Sequence, residues 1–143
     1  MSEDLARRAV ACPGWRWLPG MLIQTVGGPT DRIAGIDSTF IHAWAESQQT
    51  ENPRGMWIRY RLDRMNKHGV PDLSDAATVG ALLALVREAW EPHRGSDYIA
   101  STMHTGSGWG VGARYGSEGL AAIVLPTYET EAEALVAALE AAP

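Results

Sequence analysis

Four histidines, one cysteine and a serine set between glycines are the side chains best able to do chemistry here, and their spacing does not gather them. His42, His68, His93 and His104 stand far apart, with none of the H-x-x-x-H or C-x-x-C spacings that put two ligands of one metal on one element. Cys12 is alone, so it can form neither an internal disulfide nor a zinc site by itself, and its place before Pro13 suits a small apolar residue. Ser107 follows His104 by three residues, but Thr105 stands where a G-x-S-x-G nucleophile elbow needs glycine. This pair reads as turn chemistry, and Asp72 and Asp75 read as turn and helix-cap residues. No catalytic residue, metal ligand or cofactor is assigned. The enzymatic alternative is a small hydrolase or nuclease built from His104, Ser107 and a distant acid, or from a composite metal site.

A glycine run from Gly106 to Gly116 is the most distinctive local feature. Gly106, Gly108, Gly110 and Gly112 alternate with Ser107, Trp109, Val111 and Ala113, so a strand here carries its side chains on one face and is bare on the other. Gly108, Gly110 and Ala113 formally satisfy the dinucleotide pattern G-x-G-x-x-A, but no helical pattern follows to offer its N-terminal amides to a pyrophosphate. A P-loop is absent too, since the only lysine is Lys67. The glycines therefore read as a packing or bulge feature that admits close approach of a backbone or ring.

Candidate binding residues lie in three places. In Trp57-Ile58-Arg59-Tyr60-Arg61-Leu62, strand alternation puts Trp57, Arg59 and Arg61 on one face and Ile58, Tyr60 and Leu62 on the other. Such a face could stack a base while pairing phosphate. The plainer reading is an arginine-coated outer face, and an acidic chain forfeits the general attraction that nucleic-acid binders use. The second place is Trp109, within the glycine run. The third is the acidic end of the chain. Glu118, Glu129, Glu131, Glu133 and Glu140 are accompanied by no Lys or Arg and account for the whole net charge of -5. Trp15 and Trp17, two apart, read as strand neighbours and core, in a chain with six tryptophans.

The elements that must position these residues follow from periodicity. Ser2 to Ala11 predicts a short helix stopped by Pro13. A second helix is expected from Ser74 or Asp75 to Trp90, ending before Pro92, with Val79, Leu82, Leu83, Val86 and Trp90 buried. Thr130 and Glu133 form a capping box ahead of Ala132, Leu135, Val136 and Leu139 at helical spacing. Trp15 to Leu18, Met21 to Val26 and Trp57 to Leu62 read as strands. Tyr98 to His104, Trp109 to Tyr115 and Leu120 to Leu125 read as an antiparallel meander. The last of these is apolar throughout, which predicts a central strand. Ile33 to Glu46 fits both periods, with Phe40, His42 and Trp44 on the strand face, and Gln48 to Gly55 reads as an exposed loop or the tip of a long hairpin. The expected architecture is α+β, a single domain over residues 1–143 with one antiparallel sheet and two or three helices on one face.

At 143 residues with 20% charged and 45% hydrophobic residues, the composition is that of a folded globular chain. No apolar run approaches a membrane span of about 20 residues, and Glu3 and Asp4 stand where a signal peptide would be basic. The expectation is a cytoplasmic protein. Arg7 to Met21, Asp72 to Trp90 and Thr130 to Val136 resemble a group of small uncharacterised proteins encoded by tailed phages and prophages, whereas Gly27 to Val70 lies outside the likeness. The resemblance implies origin in a bacterial host cell and carries no activity. The resulting expectation is an accessory protein that binds a host or phage protein through Glu129, Glu131 and Glu133. Nucleic-acid binding through Trp57, Arg59, Tyr60 and Arg61 is the less favoured alternative, and a homodimer is compatible with short sheet edges.

Overall fold

The computed structural model describes residues 3–24, 30–45, 57–94, 98–115 and 118–143. The chain is α+β, and the described residues form four helices and two antiparallel sheets rather than the single sheet expected. It divides into two compact units, Met1–Val10 with Arg16–Ala81, and Ala11–Trp15 with Leu82–Pro143.

The first unit begins with helix α1, Glu3–Ala11, which buries Leu5, Ala6 and Ala9. Trp15 to Leu18 forms no strand; Trp17 is nonetheless core, at 3% exposed. Strands β1 (Leu22–Gln24), β2 (Asp31–Ile36), β3 (Phe40–Ala45) and β4 (Trp57–Arg61) follow, then helix α2 (Leu62–His68) and the two-residue β5 (Val70–Pro71). All neighbours are antiparallel and the order is β4-β3-β2-β1-β5. The stretch from Ile33, undecided by periodicity, thus resolves as far as Ala45 into two strands around a tight turn, and Glu46 lies outside the described residues. Met21, Ile23, Ile33, Ile41 and Ala43 are buried to 2% exposure or less and form the core under the sheet. The loop expected over Gln48 to Gly55 lies outside the described residues.

Helix α3, Ala76–Arg94, runs through Pro92 instead of stopping before it. A proline in the last turn removes only one backbone bond, so the helix ends just beyond it rather than ahead of it. Asp75 caps the start, accepting from Thr78 N–H and from the Thr78 hydroxyl, both at 2.9 Å. The buried Thr78 Oγ1 in turn accepts from the Leu22 N–H at 2.8 Å, tying the helix to β1.

In the second unit, β6 (Tyr98–Thr105), β7 (Gly108–Tyr115) and β8 (Glu118–Tyr128) form the expected meander. Its centre is β7, not the apolar segment Leu120 to Leu125. A strand joined by hairpins on both sides has a neighbour at each edge, so chain order outweighs hydropathy in placing it. Helix α4, Glu131–Glu140, packs on this sheet behind the capping box formed by Thr130 and Glu133. Ala132 and every residue from Ala134 to Leu139 are buried. The alanines among them let a neighbour approach closely, and Trp90 Nε1 donates to the Ala138 carbonyl at 2.9 Å.

Candidate functional site

The site is the outer face of β3 and β4, and its geometry starts from what lies underneath. On the inner face Ile41 pairs with Tyr60 and Ala43 with Ile58, and Ile41 and Ala43 are fully buried. The Tyr60 hydroxyl donates to Asp31 Oδ2 on β2, and Asp31 is only 1% exposed. Burial and the Asp31 carboxylate together hold the Tyr60 phenol above its ordinary range, so it stays a donor at any physiological pH. A one-residue slip of β4 would turn every side chain to the other face. The Tyr60 to Asp31 bond opposes that slip by fixing one inward residue to a buried acceptor.

With that register, Phe40, His42 and Trp44 of β3 stand opposite Arg61, Arg59 and Trp57 of β4 on the outer face. Strand β4 is the sheet edge. Trp44 and Trp57 meet edge to face, with ring centroids 4.9 Å apart at 74°, an arrangement that suits the charge distribution of aromatic rings. Trp57 remains 62% exposed. The Arg59 guanidinium lies over the Phe40 ring, 5.0 Å from its centroid, which holds the cation in place without neutralising it.

The turn between β2 and β3 sets the other end of the face. Asp37 Oδ1 accepts from the Thr39 and Phe40 N–H groups at 2.8 and 2.7 Å, an Asx turn. Asp37 Oδ2 meets His42 Nε2 at 2.9 Å. His42 first, and then these two amides, lower the Asp37 pKa from 3.8 to about 2. At the same end Arg61 forms a forked pair with Asp63, Nε to Oδ1 at 3.2 Å and Nη2 to Oδ2 at 3.0 Å. Both side chains are more than 60% exposed, so the pair adds little stability and is open to exchange with another anion. A cleft of about 350 Å³ adjoins Arg61, lined also by Ser38, Thr39, Leu62, Asp63 and Asn66.

The structure therefore brings Trp57, Arg59 and Arg61 together and places Tyr60 beneath them as an anchor. Phe40, His42 and Trp44 complete the face; their alternation was the available signal, masked by an equally good helical spacing. Trp109 lies on β7, half-buried, its ring 5.1 Å from that of His104. Two of the three C-terminal acids have structural work within the chain. Glu131 accepts from the Thr102 hydroxyl at 2.5 Å, and Glu133 accepts from the Thr130 and Glu129 N–H groups at 3.2 and 3.1 Å. Glu129 is exposed. Ser107 Oγ lies 3.0 Å from Thr105 Oγ1, within the β6–β7 turn. Among the described residues, no group of three or more His, Cys, Asp or Glu side chains is placed to hold a metal ion, and no helix is long and apolar enough to cross a membrane. No family model, curated protein or solved structure matches the chain.

Proposed function

We propose that this protein is a binding module without chemistry of its own, recognising a macromolecular partner through the outer face of β3 and β4. One observation carries the reading. Trp57 keeps an indole 62% exposed beside Trp44, in a row with two arginines, at the edge of a sheet whose other face is core. An exposed large aromatic ring is a solubility liability to a folded chain, and interfaces use tryptophan and arginine as anchors out of proportion to their number. The phage-type origin implied by the likeness of Arg7 to Met21, Asp72 to Trp90 and Thr130 to Val136 belongs to the same reading, as does work in the cytoplasm of a bacterial host. The acidic candidates fit it less well, because a partner at Glu131 and Glu133 would compete with the hydrogen bonds they already make to Thr102 and to the α4 cap.

The test is capture from a bacterial lysate by immobilised protein. Trp57→Ala and Arg59→Ala are each expected to abolish capture of the specific partner, and reversing the charge of Glu129 alone to leave it intact. Capture that survives the first two changes and is lost with the third would move the site to the acidic end.

A further inference from the structure

We infer that the occupant of the β3–β4 face is a single-stranded nucleic acid. The inference rests on the reading of that face as the binding surface, and it adds the chemistry of the partner. Two kinds of group alternate there as a nucleotide chain requires. The exposed Trp57 indole, propped edge to face by Trp44, offers a flat surface on which any base can stack. Arg59 and Arg61 project from the same face two residues apart on an extended strand, hence about 7 Å from each other. A guanidinium presents a planar fork of donors that matches a phosphate better than an ammonium does. Arg59 is already held over Phe40, and the exposed Asp63 carboxylate paired with Arg61 can be exchanged for a phosphate. The cleft beside Arg61 adds the hydroxyls of Ser38 and Thr39, the Asn66 amide and the Asp63 carboxylate. These groups suit sugar hydroxyls and base edges and not a second phosphate.

Shape argues against a duplex. The face is a sheet surface at an edge, which can receive splayed bases but does not enter a groove. An acidic peptide would satisfy the two arginines and leave Trp44 and Trp57 without a use. The net charge of -5 also shapes the binding, since attraction over distance is absent and stacking must carry it. Two phosphate contacts set a shallow salt dependence, a slope of log K against log salt of about -1.4.

The experiment is fluorescence anisotropy with labelled oligouridylate and oligodeoxythymidylate of about ten nucleotides, long enough for one sheet surface. A duplex of equal length, an oligoglutamate peptide and light scattering of the protein alone complete it. The expected result is saturable binding of the single strands, weaker binding of the duplex, and a slope near -1.4. Trp57→Ala and Arg59→Gln are each expected to weaken it at least tenfold, with unchanged melting temperature. Arg59→Gln stands as an independent reading should the tryptophan variant aggregate. Preference for the ribose strand would point to the hydroxyl-rich cleft as the discriminator, and equal binding would support stacking alone. Oligoglutamate binding that needs Trp57, with no binding of either strand, would overturn the nucleic acid and leave the face as the binding surface. A dimer that Trp57→Ala dissolves would give the face to a second copy and overturn the inference. Strand binding indifferent to both substitutions would overturn the inference and the proposed surface together.

Discussion

Two sheets in this chain present opposite answers to the same problem, a strand face open to solvent. On β3 and β4 that face carries Phe40, His42, Trp44, Trp57, Arg59 and Arg61. On β7 the face that carries Gly110 carries almost nothing. Val111 is buried and its register neighbour Thr102 bonds Glu131 of α4, so the side-chain face of β7 is the one turned to the helix. At Gly106 and Gly110 nothing stands within 4 Å of where a Cβ would be. A bare strand avoids exposing apolar surface of its own and leaves any selection of a partner to its register neighbours Ser101, Met103 and Thr105 of β6. A face with exposed tryptophan accepts that exposure and gains selectivity. The glycine run is the louder signal in the sequence, and the quieter alternation of β3 and β4 is the better site.

The comparison breaks first at its anchor. Tyr60→Phe leaves the buried Asp31 carboxylate without its hydroxyl donor, and its Oδ1 already has no partner among the described residues. A loss of about 3 kcal/mol is expected in denaturant unfolding, with faster amide exchange in β4. An unchanged midpoint would mean that the register is held elsewhere. Gly108→Ala comes next, at about 2 kcal/mol. Gly108 has φ +133, and a Cβ there would stand 2.5 Å from the Tyr128 carbonyl oxygen.

The link between β2 and the start of α3 has a pH signature. Arg32 donates to both Asp75 oxygens at 3.1 Å and is the largest cause of the fall in the Asp75 pKa from 3.8 to about 2. Because the folded value is the lower one, the contribution is complete above 3.8 and disappears as pH falls through about 2. Asp75→Asn keeps a capping side chain and loses the charge. It is expected to be less stable than the parent by about 2 kcal/mol at neutral pH and to converge with it near pH 2. A constant difference across that range would assign the effect to the cap and not to the ion pair.

The smallest effects separate the two faces most cleanly. Gly110→Ala meets open space and is expected to change stability by no more than about 0.5 kcal/mol, as is Trp57→Ala, whose ring is mostly in solvent. Only the second is expected to abolish partner binding. Loss of binding in the first would make the glycine face functional.

How far the sequence foretold this is seen residue by residue. The capping box of Thr130 and Glu133, the meander and the outward set Trp57, Arg59 and Arg61 were all legible, because each depends on local spacing. Helix α2 was not, since it is seven residues long and Arg61 at its start makes no side-chain cap. The division into two sheets depends on which strands meet, which short-range pattern does not encode, whereas the edge position of β8 followed from the meander itself and was obscured by the apolar run Leu120 to Leu125. Asp31 gave no sign of itself: a buried carboxylate under a tyrosine has no sequence signature.

The most direct test follows the six indole N–H resonances by NMR while oligouridylate is added. Shifts at Trp57 and Trp44, with Trp109 unmoved, are the result expected if the dressed face does the recognising. Shifts at Trp109 and along Gly108–Gly112, with Trp57 unmoved, would contradict it and hand the role to the bare sheet.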